Sequence, residues 1–362
     1  MTIPRAVLIL ADGTRFEGAA FGHVGEASGV AVFYTGVVGY QEILTHPSYR
    51  GALVTMTYPI IGSYGVNGED NESPAVQAAG LVVREASRMF SNFRATGSLE
   101  ALMVRKQVVG IQGVDTRAVA VHLREHGEMP GTIVPADADV DAAAERLRRG
   151  PPPDSSAMLT EVTWSGRREP ADDPRRTVVL LNLGVTEGLL VQLTDLGCAV
   201  EVLEAGASAD DVLAAKADGI LVAGGPGDPR DLADQVETVR GLLGEAPLLG
   251  VGLGHQVLAL ALGCQVEAMK TGHRGLNYPV RDHTGLRGQG GRGAITVQHH
   301  RYVVAADGVP KGVEVTHTNF NDGTLEGVRN AKARAWGVQW HPSRDEMERP
   351  SPVLRAFCEG PA

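Results

Sequence analysis

The hydrophobic rhythm of the chain changes part-way along. Up to about residue 134 the text consists of short β-type runs, among them 7–10, 30–33 and 54–58, separated by Gly, Asp and Asn turns and by Tyr58-Pro59. Two helices interrupt it. Asp115 is placed to cap 116–125, with Gly127 just past the end, and 139–149 carries Val140, Ala143, Ala144 and Leu147 on one stripe before stopping at Gly150. From there to about Arg176 the text turns to Pro151-Pro152-Pro153-Asp154 and to charged, Pro-punctuated residues through Asp173-Pro174, which predicts a linker.

Beyond the linker, strand and helix alternate. A continuous apolar strand at 177–181 leads to a helix at 187–196 ended by Gly197, then a strand at 199–203. A helix at 209–217 capped by Ser208, a strand at 219–222, a helix at 231–243 and a strand at 247–251 continue the series. Repeated strand–helix units predict a doubly wound, mainly parallel sheet whose ligands sit at the carboxyl ends of the strands, here the loops after Val222 and Val251. The predicted fold class is therefore α/β, with a β-rich N-terminal domain at 1–150, a linker at 151–176 and a doubly wound domain at 177–362.

Composition narrows the partners. Of 362 residues, 43% are apolar and 21% charged, so the chain can bury two cores. The balance of 33 basic against 43 acidic residues, with no Lys/Arg-rich run, argues against a nucleic-acid or anionic-membrane partner. The apolar stretch from Ala6 to Ala11 ends at Asp12, too short for a signal peptide or a membrane span, so a soluble, cytoplasmic protein is expected. Cys198, Cys264 and Cys358 are too scattered for a disulfide framework or a zinc site and read as small buried hydrophobes.

The strand at 247–251 runs through Gly250-Val251-Gly252-Leu253-Gly254-His255-Gln256 into a helix continuing over 257–262, with Gly263 as its stop. This has the shape of a nucleophile elbow, where the central residue takes a strained, usually positive φ and its side chain enters the pocket. The central residue is Gly252. It accepts that conformation without strain and has no atom with which to attack a substrate.

Together with this elbow, a long ordered series of motifs resembles the small subunits of carbamoyl-phosphate synthetase, whose second domain is a class I, triad-type glutamine amidotransferase. In the first domain the series includes Gly39-Tyr40-Gln41-Glu42, Pro47-Ser48-Tyr49-Arg50-Gly51, Tyr64-Gly65-Val66-Asn67 and Gly113-Val114-Asp115-Thr116-Arg117. In the second it includes Gly224-Gly225-Pro226-Gly227-Asp228-Pro229, Gly272-His273-Arg274-Gly275, Asn321-Asp322-Gly323-Thr324-Leu325-Glu326-Gly327 and His341-Pro342. The resemblance covers nearly the whole chain and implies a class I glutamine amidotransferase-like fold for the C-terminal domain.

In that family a Cys thiolate attacks the glutamine amide, a His moves the proton and a Glu two residues later orients the His. Here the resemblance places Gly252 at the nucleophile, His341 at the base and Ser343 at the Glu. The pocket departs as well. The family's Phe-Asn-Thr-Ser, whose Ser helps to bind glutamine, reads Phe33-Tyr34-Thr35-Gly36, and its Gln-Asn-His-Gly-Phe reads Gln298-His299-His300-Arg301-Tyr302. Its Asp-x-Gly-x-Lys reads Asn182-Leu183-Gly184-Val185-Thr186. Gly225, Gly227, Leu253 and Gln256 are retained, with Tyr302 nearly so.

The resemblance implies a subunit that has lost glutamine hydrolysis and acts as a structural or regulatory partner of a carbamoyl-phosphate synthetase large subunit, or a paralogue of it. That large subunit would serve arginine and pyrimidine synthesis. No cofactor or metal is expected in this chain; ATP, magnesium and bicarbonate belong to the large subunit. A second reading has the altered pocket bind or convert another small metabolite, with Arg301 favouring an anion. Three sharper ideas stand beside these: a metal or proton-transfer site among His255, His299, His300 and His341, Cys264 as a substitute nucleophile, and a surviving glutaminase.

Overall fold

The computed structural model describes residues 4–150, 154–284, 293–344 and 347–359. They form two compact units, one from 4–150 together with Lys270–Arg274, the other from 154–269 and the residues from 275 onward.

The first unit is a closed seven-stranded barrel. Around it run Arg5–Leu10, Arg15–Gly22, Val109–Gln112, Gly80–Val82, Ala52–Met56, Ala27–Tyr34 and Met129–Pro135, the last pairing back to the first. Both faces of most strands are buried, which is why the sequence showed continuous apolar runs where alternation would mark a half-exposed strand. Leu8, Leu10, Ala31, Leu53, Val82, Ile111 and Ile133 form one core cluster, closed by Val119 and Leu123 of the helix Thr116–His126. Val7, Ile9 and Val134 pack against Ala143 and Ala144 of the helix Val140–Arg149. Asp115 and Asp139 cap these helices, accepting from the Ala118 and Ala142 amides at 3.0 and 2.9 Å. Short helices at Tyr40–Thr45 and Leu99–Arg105 were not legible in the sequence; they cover a third cluster around Tyr34, Val54 and Met56.

The segment Lys270–Arg274 is tied to this unit through Glu128. The Glu128 amide donates to the Lys270 carbonyl at 3.0 Å, and its carboxylate accepts from the Gly272 amide at 2.7 Å and from the Arg274 guanidinium.

The second unit is built on a ten-stranded sheet. Its middle is parallel, in the order Cys198–Glu204, Arg176–Asn182, Gly219–Val222, Leu248–Val251 and Ala335–Val338, and antiparallel strands extend it from Leu325–Asn330 onward. Helices cover both faces. Val178, Leu180 and Val200 pack with Leu189, Leu190 and Leu354, while Val179, Leu181 and Ile220 pack with Val212, Val239 and Leu258.

Several predicted bounds shift. The helix expected at 231–243 is a short 3-10 turn, Pro229–Asp231, followed by Ala233–Leu242, and the one expected at 209–217 stops at Ala214. Residues 154–176 were expected to be linker, yet they hold a helix, Ser155–Val162, and an edge strand, Gly166–Arg168. The reason is local: Asp154 caps the Ser156 and Ala157 amides, and Leu159 is buried in the core of the second unit. Residues 151–153 of that predicted linker lie outside the described residues. No helix among the described residues is long and apolar enough to cross a membrane.

Candidate functional site

The elbow is formed as its sequence predicts. Leu248–Val251 runs into Gly252, which sits at φ 57° and ψ −116°, and the helix Leu253–Ala261 starts immediately after it. The Gly252 amide donates to the Val338 carbonyl at 3.0 Å, pinning the turn to the neighbouring strand. Gly254 lets the helix lie close against the sheet, since a Cβ there would stand 2.1 Å from the Val222 carbonyl oxygen. At Gly252 the space is open by contrast. A Cβ would find its nearest neighbours at 3.5 Å, Gly224 Cα, and 3.9 Å, the Gln339 carbonyl oxygen, which are ordinary contacts. The backbone therefore presents a side-chain position that holds no side chain.

His341 follows the adjacent strand Ala335–Val338 and donates its amide to the Val297 carbonyl at 2.8 Å. Its ring centroid lies 6.3 Å from that of His299, with the planes tilted by 53°. Pro342 is held from behind by Gln192, whose Nε2 donates to the Pro342 carbonyl at 2.9 Å while its Oε1 accepts from the Ser351 amide. Ser343 is exposed, and its hydroxyl donates to the His341 carbonyl oxygen at 3.5 Å. It offers the ring no charge.

The loop after Gly219–Val222 forms another wall. Gly225 is pressed against the loop that follows the neighbouring strand Arg176–Asn182, and a Cβ there would overlap the Leu183 carbonyl oxygen at 1.9 Å. Beyond Gly227 the Asp228 amide donates to the Ser155 hydroxyl at 3.0 Å, so a residue from the supposed linker fixes this loop. Asn182 turns the chain before it, accepting from the Gly184 and Val185 amides at 2.9 and 2.8 Å.

Asp228 and Tyr302, expected at the pocket, form a polar cluster with Arg230. The Arg230 guanidinium binds the Asp228 carboxylate through Nε and Nη2, with its Cζ 5.4 Å from the centre of the Tyr302 ring. Burial pushes the Asp228 carboxyl up, but the hydrogen bonds and charge of Arg230 and the Tyr302 hydroxyl outweigh it and hold the group below the usual carboxylate range. Burial, then the Asp228 charge, raises the Tyr302 phenol. Arg301 adds a second cation, its Cζ 6.0 Å from the same ring. In the sequence, Tyr302 and the Gly-Asp-Pro text of the loop carried the signal, and Arg230 carried none.

Retained Gln256 is buried and serves the scaffold, donating through Nε2 to the Tyr302 carbonyl at 2.8 Å and to Gln339 Oε1 at 3.2 Å. His300 has a ring nitrogen 3.0 Å from the Tyr302 carbonyl oxygen and the other 3.0 Å from Gln298 Oε1. His255 is fully buried behind the elbow with no hydrogen-bond partner at either ring nitrogen; burial and then the nearby His317 charge drive its pKa down to about 3. It stays a neutral core group, so the idea of imidazoles converging at the elbow is reduced to the His299–His341 neighbours. Cys264 lies past the far end of the elbow helix, buried, with its thiol pushed up to about 11 by that burial. A thiol in that state is a poor nucleophile.

Gly36 belongs to the first unit. A Cβ on it would fall 2.4 to 2.6 Å from Cε1, Cζ and the hydroxyl of Tyr34, whose side chain is fully buried. The Ser hydroxyl of the resembled motif is thus absent, and the Tyr34 ring occupies the space beside Gly36.

Known proteins share this architecture in sequence. Residues 8–133 match the family described as carbamoyl-phosphate synthase small chain, CPSase domain, and residues 179–358 match glutamine amidotransferase class-I. The chain is 42% identical over 352 residues to the carbamoyl phosphate synthase small chain of Syntrophotalea carbinolica, covering 93% of this chain and 92% of that one. It is 41% identical to the pyrimidine-specific small chain of Halalkalibacterium halodurans, covering 96% and 94%, and 39% identical to that of Bacillus subtilis, covering 92% and 90%. With both halves matched in order and such identity along almost the full length, the chain belongs to the carbamoyl-phosphate synthase small-chain family.

Proposed function

We propose that this chain is a small-chain homologue without glutaminase activity, acting as a structural or regulatory subunit of a carbamoyl-phosphate synthase large subunit or a paralogue of it. The observation that carries the reading is the elbow itself: Gly252 keeps the turn, φ 57° included, but supplies no sulfur. Without a nucleophile there is no acyl-enzyme route, a loss of several kcal/mol of barrier lowering at the least. Ser343 in place of a carboxylate supports the same reading, as does the loss at Gly36 of the Ser hydroxyl that the resembled motif carries. Leu253 and Gly225 keep backbone N–H groups of the kind that stabilise an oxyanion, with no acyl group to receive.

The large subunit would bind ATP, magnesium and bicarbonate and would draw nitrogen from free ammonia. Carbamoyl phosphate formation by the chain mixed with its candidate large subunit tests this, with glutamine in one reaction and ammonium in the other. Activity with ammonium only, together with co-elution of the two chains, is expected. Steady glutamate release from glutamine would overturn the proposal. Failure to associate would shift the reading to a pocket that serves another small anion beside Arg301.

A further inference from the structure

The second unit contains a pair of thiols that the glutaminase-type chemistry never uses. Cys198 opens the strand Cys198–Glu204, and Cys358 lies in the last turn of the helix Pro352–Glu359. They are 160 residues apart in the chain, yet their Sγ atoms share a hydrogen bond at 3.4 Å, and both are buried. Arg176, which starts the neighbouring parallel strand, donates from its guanidinium to the Cys358 carbonyl. We propose that Cys198 and Cys358 are an oxidisable pair that closes to a disulfide and clamps the C-terminal helix to the sheet.

Three observations carry this. The first is proximity: a disulfide needs about 2.05 Å between the sulfurs, so closure asks for a movement of roughly 1.4 Å. The second is where that movement falls. Cys358 is in the last turn of its helix, where the chain can open locally and admit a small oxidant. The third is the asymmetry of the two thiols. The shared hydrogen bond and the Arg176 charge, against burial, hold Cys198 below the ordinary thiol range, whereas that bond and burial push Cys358 up. Cys198 is the register partner of Arg176 on the neighbouring parallel strand, and that cation favours its thiolate, so Cys198 attacks first and Cys358 resolves.

With a peroxide as oxidant the chemistry balances. The Cys198 thiolate attacks one peroxide oxygen, the S–O bond forms, the O–O bond breaks and hydroxide leaves. Cys358 sulfur then attacks Cys198 sulfur. The S–S bond forms, the S–O bond breaks, and the departing hydroxide takes the Cys358 proton, so two thiols are oxidised and hydrogen peroxide becomes two waters. The helix that is clamped begins beside Ser351, and Gln192 joins the Ser351 amide to the Pro342 carbonyl. Oxidation would thus stiffen the segment that carries His341.

The test is to treat the full-length chain with hydrogen peroxide and map it by mass spectrometry without reduction. Expected are a mass lower by two hydrogens, one cross-linked peptide pair containing Cys198 and Cys358, faster migration on a non-reducing gel and a melting temperature raised by several degrees, all reversed by dithiothreitol. The Cys264→Ser variant should behave like the parent, and Cys198→Ser should not cross-link. Oxygen added at either cysteine of the parent without a cross-link would overturn the proposal, as would a cross-link that lowers the melting temperature.

Discussion

The ring of Tyr34 stands against Gly36, filling the space into which any side chain at position 36 would project. In the resembled motif the two positions read Asn and Ser, so a larger residue at one is matched here by the smallest at the other. The two changes make one steric unit.

Gly36→Ser alone should therefore destabilise the first unit by about 1–3 kcal/mol, the usual cost of overpacking a filled site. Tyr34→Asn with Gly36→Ser should recover more than half of that loss relative to Tyr34→Asn alone. Urea unfolding of the four members of the cycle measures it; additive effects would mean that the two residues do not share the space.

Gly252→Cys should fold, because the Cβ meets only ordinary contacts, with a cost of about 1 kcal/mol for a non-glycine residue at positive φ. The new thiol should react with iodoacetamide, yet glutamate release should stay at background. Adding Ser343→Glu supplies the missing orienter, whose absence in comparable triads costs about 10⁴-fold. Even the double variant should hydrolyse glutamine weakly while Arg301 remains. A single Gly252→Cys variant with steady turnover would show that the pocket is more intact than its residues indicate.

His255 gives stability an acid-side slope. Its folded pKa is lowered to about 3 from an ordinary 6.5, so the unfolded chain takes up the proton first. The stability linked to the neutral ring is complete above pH 6.5 and is lost as pH falls below it, reaching about 2 kcal/mol by pH 5. His255→Leu should remove this slope. The gap between variant and parent, followed by denaturant unfolding at pH 5 and pH 8, should move in the variant's favour by about that amount at the lower pH.

Glu128→Gln should cost about 3–5 kcal/mol, because it removes the negative charge paired with the largely buried Arg274 guanidinium. Hydrogen exchange is the sharper readout: the Gly272 amide, which donates to the same carboxylate, should lose protection before the barrel strands do.

How much of this was legible beforehand depends on the range over which each feature is determined. The elbow, its flanking glycines and the caps at Asp115 and Asp139 are local, fixed by a few neighbouring residues, and each formed as read. The parallel sheet followed from repeated strand–helix units. The helix Ser155–Val162 was missed because its prolines and charges resemble linker text, while its place is fixed by the distant partners of Leu159 and Ser155. The Asp228–Arg230–Tyr302 cluster and the burial of the Tyr34 ring against Gly36 were also out of reach. Periodicity names the face a side chain occupies, not which distant residue meets it there. The closeness of Cys198 to Cys358, which looked scattered in the chain, is the extreme case.

The closure of the seven-stranded barrel bears on how a second chain could hold this one. A ring of strands in which the last hydrogen-bonds to the first has no edge strand, which disfavours docking on that barrel by strand addition. Recognition there must be written in side chains and in the loops between strands, where Phe93 stands almost wholly in solvent and Met89 nearly so. Such a contact surface can be retuned one residue at a time without disturbing the hydrogen bonds of the barrel, which lets the choice of partner drift independently of the fold.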